Sequence, residues 1–141
     1  MTISSTTPLL RKALLADAAA SGGTGIAMAA LAGTLAELLR VPAGLLFWAG
    51  VVLLPYAAAL VFLATRDELP HWTVRVVIAV NALWAIDCIA LVVLARLGKL
   101  PSVDPNLVGV GFLVMQALVV GGFAELQLVA LRRVEGGRRY A

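Results

Sequence analysis

The chain alternates between four long apolar stretches and short segments rich in charge and proline. The stretches cover roughly residues 13–39, 43–65, 73–95 and 107–131. An α-helix needs about 20 apolar residues to cross the ~30 Å hydrocarbon core of a bilayer, and each stretch is long enough. The pattern therefore predicts four transmembrane helices in a single integral membrane domain that covers residues 1–141.

The segments between the predicted spans are short. Residues 40–42 join the first pair of spans, residues 66–72 the middle pair and residues 96–105 the last pair. Pro42 suits the first turn of a helix, and the two prolines in the last link break one. Short links between long helices bring consecutive helices together as antiparallel neighbours. We therefore predict an all-α fold, a four-transmembrane-helix antiparallel bundle.

Composition agrees with a lipid environment. The chain is 62% hydrophobic with a mean hydropathy of +0.99, which is more apolar surface than a small water-soluble core can bury. The net charge of +3 is modest, and the basic residues cluster near the ends of the apolar stretches. We therefore expect a lipid bilayer as the surroundings and no nucleic acid as a partner. A single cysteine, Cys88, excludes an internal disulfide.

The basic residues also predict the orientation in the membrane. One side of the predicted bundle carries Arg11, Lys12, Arg66, Arg75, Arg132, Arg133, Arg138 and Arg139. The other side carries only Arg40, Arg96 and Lys99. Positive residues favour the cytoplasmic side, so both termini are predicted to be cytoplasmic. A cleaved signal peptide is the alternative for the first span, but Asp17 and several glycines interrupt its apolar part.

Polar residues inside the spans fall into two layers by depth. Asp87 lies ~20 Å from the cytoplasmic edge of the third span, and Gln116 reaches about the same depth in the fourth. We therefore expect a hydrogen bond between Asp87 and Gln116. A second layer nearer the cytoplasmic edge contains Asp17, Ser21, Tyr56, Asn81 and Glu125.

No lysine or arginine lies at the depth of the deeper acids. Burial without a cation disfavours the charged carboxylate, so we expect Asp87 and Glu125 to be protonated and to donate hydrogen bonds. Asp17 is shallower, within reach of Arg11 or Lys12. Gln116 and Glu125 are nine residues apart and face opposite sides of an ideal helix, at ~180°.

Asn81 and Asp87 are six residues apart and also differ in direction, by ~120°. One continuous polar pathway is therefore not predicted. Two interpretations of the polar residues stay open. They form hydrogen bonds between helices or between subunits, or they form a ligand, ion or proton site.

Small residues indicate where helices approach closely. We predict helix-packing positions at Gly22 and Gly25 in the first span and at Gly121 and Gly122 in the fourth. In the second span, Pro55 is expected to kink the helix. The neighbouring Tyr56 is a candidate for contact with the polar groups that the kink frees.

Residues for catalysis, metals or cofactors are scarce. The single histidine, His71, is predicted to be a solvated loop residue, although Asp67 and Glu68 are near. The glycines of residues 21–25 lack the Lys-Ser/Thr ending of a phosphate-binding loop. We therefore predict no catalytic residue, no metal site and no cofactor.

Four short segments resemble parts of small bacterial four-helix integral membrane proteins without assigned function. They are Ser21-Gly-Gly-Thr-Gly25, Leu53-Leu-Pro-Tyr56, Asn81-Ala-Leu-Trp-Ala-Ile-Asp87 and Phe123-Ala-Glu-Leu-Gln127. The resemblance spans most of the chain. It implies a bacterial inner-membrane protein and carries over no activity, substrate or site residue.

The leading functional hypothesis is a non-enzymatic membrane protein that self-associates or assists a membrane complex. Its partners would be the bilayer and either copies of itself or another membrane protein. The first alternative is a small transporter or proton-linked channel, with candidate residues Asp87, Gln116, Asn81, Glu125, Asp17 and Tyr56. The second alternative is a binder of a lipid or quinone-like apolar ligand between the helices.

Overall fold

A computed structural model describes residues 2–3 and 6–138 of the chain. The elements in chain order are β1 (Thr2–Ile3), α1 (Pro8–Ala30), α2 (Ala32–Leu39), α3 (Ala43–Ala64), β2 (Leu69–Pro70), α4 (His71–Arg96) and α5 (Leu107–Arg138). Apart from the two-residue pairing of β1 with β2, the fold is all-helical. Arg139, one of the basic residues counted for orientation, lies outside the described residues.

Four helices are long and apolar enough to cross a membrane, as the sequence predicts. The candidate spans are Pro8–Ala30, Ala43–Ala64, His71–Arg96 and Leu107–Gly136. Large apolar side chains cover their outer surfaces, and Leu118, for example, is 72% exposed. A surface of this kind is suited to lipid tails rather than water. The chain is therefore a candidate multi-pass membrane protein.

The first predicted span is not one continuous helix, which corrects the prediction for residues 13–39. The chain leaves helical geometry at Leu31, where φ is −113° and ψ is 22°, and α2 begins at the next residue. The break is locally satisfied, because the N–H of Leu31 donates to the carbonyl of Ala27 at 2.9 Å. After the break, α2 packs against both α3 and α5, as α1 does.

The end of α2 is joined to the start of α5 through Asn106. The Asn106 side chain donates to the carbonyl of Leu38 at 2.9 Å, and its backbone N–H donates to the carbonyl of Leu39 at 3.3 Å. The same side chain accepts from the N–H of Gly109 at 2.8 Å. Gly109 is required for this approach, because a Cβ there would overlap the Leu39 carbonyl. Asn106 therefore serves two helix ends that would otherwise keep unpaired backbone groups.

The opposite end of the helices is tied by a different set of contacts. Thr6 donates through its N–H to the carbonyl of Asp67 at 2.7 Å, next to the β1–β2 pairing. His71 lies 3.1 Å from the Glu135 carboxylate, to which Arg75 also donates at 3.1 Å. The prediction of a solvated loop histidine is wrong, because His71 begins α4 and its side chain is only 15% exposed. These contacts bring the starts of α1 and α4 and the end of α5 together.

The backbones of α1 and α3 approach each other closely at Gly50. A Cβ on Gly50 would lie 2.6 Å from the backbone nitrogen of Ala29 and 2.7 Å from the carbonyl oxygen of Gly25. Gly25 in turn lies against the Gly50 carbonyl and Leu53. The predicted packing role of Gly25 is therefore confirmed, and the sequence reading missed Gly50. A Cβ on Gly22 would lie 3.5 Å from the Cβ of Ala57, which is ordinary van der Waals contact.

Gly121 and Gly122, the predicted packing positions in the fourth span, make no helix contact inside the described part of the chain. A Cβ on Gly121 or Gly122 would meet nothing within 4 Å. Both glycines lie on the outer side of α5, whereas α5 packs on α4 through residues such as Leu113 and Ala117 near Cys88. Gly121 and Gly122 therefore leave an open surface instead of making a contact inside the bundle.

Candidate functional site

A buried cluster of polar side chains lies at the centre of the four long helices. Its members are Asp17 and Ser21 from α1, Tyr56 from α3, Asn81 from α4 and Gln127 from α5. Asp17 and Gln127 have no exposed surface, and Asn81 is only 2% exposed. We call these five residues the Asp17 cluster. Four of them belong to the cytoplasmic-side layer predicted from depth.

The Asp17 carboxyl group is the centre of the cluster. Oδ1 accepts from Ser21 Oγ at 3.0 Å, and Oδ2 accepts from Asn81 Nδ2 at 2.6 Å and from Gln127 Nε2 at 2.9 Å. The Tyr56 hydroxyl is also within 3.4 Å of Oδ2. Ser21 lies one helical turn after Asp17, so both side chains share the inner face of α1.

A count of donors and acceptors explains why the cluster is stable without a cation. The single hydroxyl proton of Tyr56 serves the shorter contact, to Asn81 Oδ1 at 2.8 Å. The second proton of the Asn81 amide serves Gln127 Oε1 at 3.1 Å. One consistent orientation of the groups therefore uses every amide oxygen and gives Asp17 three donors. A buried network in which all members are paired avoids the cost of orphaned polar groups.

The predicted ionic partners of Asp17 are not its partners in the structure. Arg11 donates to Asp67 at 3.3 Å instead, and Lys12 is exposed. Four neutral side chains surround the acid because α1 turns Asp17 towards the interior, and the basic residues of the preceding turn lie on its outer side.

The predicted hydrogen bond between Asp87 and Gln116 is also wrong. Gln116 Oε1 accepts from the Trp84 indole at 3.2 Å, and its Nε2 lies 3.7 Å from Met28 Sδ. Asp87 is exposed on the surface of α4. The two residues reach similar depths, but the buried face of α4 passes through Asn81 and Cys88, and Asp87 lies off that face.

Glu125 is exposed on the outer surface of α5, so it does not join the inner layer. Gln127, two residues later, occupies the position in the inner layer that was predicted for Glu125. The signal that could have found Gln127 is its separation of eleven residues from Gln116, because eleven residues complete about three turns and return to the same face.

Pro55 lies inside α3, which continues without interruption from Ala43 to Ala64. The adjacent Tyr56 is half-buried and points its hydroxyl at the Asp17 cluster rather than at the backbone near Pro55. Tyr56 was predicted as a candidate site residue, and its hydroxyl does lie against the Asp17 cluster.

A cavity of about 160 Å³ separates the Asp17 cluster from the Trp84–Gln116 pair. Ser21, Tyr56 and Asn81 line one part of it, and Trp84 and Gln116 line another, with apolar side chains completing the walls. We call it the central cavity. Its volume is close to that of an engineered apolar cavity of ~150 Å³ that binds benzene.

A second cavity of about 420 Å³ lies on the other side of the Trp84–Gln116 pair, which lines both cavities. Asp87 and Cys88 also line it, with Phe112 and other apolar side chains. We call it the lateral cavity. Asp87 is exposed as well as cavity-lining, so it lies where the lateral cavity opens at the protein surface. Glu125 lines neither cavity.

The side chains that line the two cavities offer hydrogen bonds and apolar packing. Among the described residues, no group of three or more His, Cys, Asp or Glu could hold a metal ion. Comparison of the chain with protein-family models, with curated proteins and with solved structures finds no match.

Proposed function

We propose that the chain is a non-enzymatic protein of the bacterial inner membrane that self-associates through the outer face of α5. The four long helices would cross the bilayer in alternating directions. Two sets of contacts support this arrangement. One set brings Thr6 to Asp67 and His71 to Glu135, and the other brings Leu38 to Asn106 at the opposite ends of the same helices.

The orientation is proposed from the basic residues, eight of which fall on the side of the two termini. We expect a reporter that is active only in the periplasm to be inactive when fused after Ala141. The same reporter inserted after Ser102, in the link between α4 and α5, should be active. Strong activity from the fusion after Ala141 would reject cytoplasmic termini.

Self-association rests on one observation, the position of Glu125 on the exposed face of α5. Glu125 is 18 residues after Leu107 and seven before Arg132, where the charged end of the helix begins, which places it ~27 Å and ~10 Å from the two ends of the apolar stretch. Ionisable residues at such depths normally face protein or water, because hydrocarbon cannot solvate them. A second protein surface over Glu125 removes that cost.

The surroundings of Glu125 have the pattern of a helix–helix interface. The exposed residues on its face are Gly111, Met115, Leu118, Gly122, Glu125 and Val129. Their alternating spacing of four and three residues is that of a left-handed helix pair. Neither Gly111 nor Gly122 has a neighbour within 4 Å of a Cβ position, so another helix can approach its backbone.

A second copy of this chain is the partner that the geometry favours. In a two-fold dimer each residue near the axis faces its own equivalent. The carboxyl groups of two facing Glu125 side chains can hydrogen-bond to each other through a shared proton, which gives both a partner without a cation. The glycines in the same row let the two α5 helices come close enough for that contact.

We expect native mass spectrometry of the detergent-extracted protein to give a multiple of the 14.7 kDa chain mass. Gly122→Leu should weaken association by about tenfold or more, because the added side chain separates the helix backbones. The matched control is Gly23→Leu, since Gly23 is also exposed and has no neighbour within 4 Å of a Cβ position.

Gly23→Leu should leave the oligomer unchanged. A single-chain mass for the wild-type protein would contradict self-association, as would equal effects of the two substitutions. A complex with a different membrane protein would instead support the accessory role.

A further inference from the structure

The lateral cavity combines one acid with walls that are otherwise apolar and aromatic. Its volume of about 420 Å³ lies in the usual range of small-molecule pockets, ~300–1,000 Å³. Asp87 lies at its opening, and neither lysine nor arginine is among its lining residues. The Asp87 carboxyl group accepts no hydrogen bond from the described residues, so the protein itself supplies no partner for it.

The remaining polar groups of the cavity are already engaged. The Gln116 amide is oriented by Trp84 and Met28 on its two sides. Cys88 is buried against α5. Asp87 is thus the one acidic group that a ligand entering from the surface would meet, and it lies near the middle of α4, ~14 Å before Arg96.

The apolar and aromatic side chains that line the lateral cavity determine which kind of ion could bind beside Asp87. A small inorganic cation needs several oxygen ligands, which one carboxylate and one engaged amide do not provide. An organic cation brings its own apolar substituents, which the leucines and Phe112 can bury. The rings of Trp84 and Phe112 add attraction for a positive charge. An anion would meet only the acid.

We propose that the lateral cavity is a binding site for one lipophilic organic cation, an ammonium or phosphonium compound, with Asp87 as its counter-ion. The ligand reaches the cavity at the protein surface beside Asp87. Trp84 and Gln116 form the inner wall that separates it from the central cavity. The site does not depend on the proposed α5 interface, because none of the exposed α5 residues of that interface lines the cavity.

Binding of tetraphenylphosphonium to the purified protein in a maltoside detergent tests the proposal. The probe fits the predicted chemistry, and tetraphenylborate has the same shape with the opposite charge. Equilibrium dialysis should show saturable binding of one tetraphenylphosphonium per chain. Tetraphenylborate should bind about tenfold more weakly or worse, since the charge pair is then replaced by repulsion.

Two variants separate charge from shape. Asp87→Asn keeps the size of the side chain and should weaken tetraphenylphosphonium binding by about tenfold or more. Ala49→Leu keeps Asp87 but fills part of the cavity that Ala49 lines, and it should weaken binding as well. The control Glu37→Gln removes an exposed carboxyl group of α2 outside the cavity and should leave binding unchanged.

Melting temperatures of all three variants show whether each is folded. Equal binding of tetraphenylphosphonium by the wild type and folded Asp87→Asn would overturn the proposal. Equal binding of the two tetraphenyl ions would overturn it too, because the cavity would then recognise apolar shape without charge. Absence of saturable tetraphenylphosphonium binding to the wild type would also overturn the proposal.

Discussion

Replacing Asp17 by leucine is expected to lower the free energy of unfolding by about 2–4 kcal/mol, because it leaves several buried donors without an acceptor. Ser21 Oγ, Asn81 Nδ2 and Gln127 Nε2 all donate to the Asp17 carboxyl group. Each orphaned donor keeps the cost of its desolvation and loses the compensating bond. A thermal melt of the purified protein, followed by circular dichroism in detergent, measures the change.

The change to asparagine refines this prediction. Asp17→Asn keeps the shape but replaces one acceptor oxygen with a donor, so we expect a smaller loss of about 1–2 kcal/mol. Asp87→Asn is the matched control, since the same chemical change on the exposed surface of α4 breaks no hydrogen bond within the described residues. A wild-type melting temperature for Asp17→Leu would show that the cluster does not stabilise the fold.

Gly50→Leu should prevent recovery of folded protein, because the closest backbone approach between α1 and α3 occurs at this residue. Even the Cβ of Gly50→Ala would lie 2.6 Å from the Ala29 nitrogen and 2.7 Å from the Gly25 carbonyl oxygen. Both atoms belong to the backbone and cannot move aside without separating the helices. We therefore expect Gly50→Ala to cost about 1–3 kcal/mol, in line with other overpacked positions.

The same helix provides the control for Gly50. Gly44 lies near the start of α3, is exposed and has no neighbour within 4 Å of a Cβ position. Gly44→Ala should therefore keep or slightly raise the melting temperature, since alanine favours helix more than glycine does. Similar melting of Gly50→Ala and the wild type would contradict the close approach of α1 and α3.

The four long helices follow from the sequence because span length and hydropathy are local properties. The break at Leu31 does not, since no proline marks it. The helix that follows the break makes contacts with distant parts of the chain, such as the bonds from Asn106 to Leu38 and Leu39. Such contacts have no signature in the residues around the break.

The depth of the polar residues along the helices could be predicted from the sequence. The side of the helix on which each polar side chain lies could be predicted only in part. Depth places Asp17, Tyr56 and Asn81 together, and the structure confirms their contact. Depth alone does not separate Glu125 from Gln127, which differ by only ~3 Å along α5, although the two side chains lie ~200° apart around it. The face could have been assigned from the distance of eleven residues between the two glutamines of α5.

The contacts of the glycines could not be predicted from the sequence for a related reason. A small residue permits close approach, but the sequence does not say which helix approaches. Gly25 meets α3 inside the bundle, whereas Gly122 faces outwards. The residue that contacts Gly25 is Gly50, one of two glycines in a strongly apolar helix. Nothing near Gly50 in the sequence distinguishes it from Gly44 as the contact position.

The sequence separations within the Asp17 cluster have a consequence for how the chain is made. Asp17 is followed by Tyr56 after 39 residues, by Asn81 after 64 and by Gln127 after 110. During synthesis the acid is therefore made first, and its partners follow one helix at a time. A chain that ends before Gln127 lacks one of the three donors to the Asp17 carboxyl group. The hydrogen bonding of this buried acid is therefore complete only after all four long helices have been made.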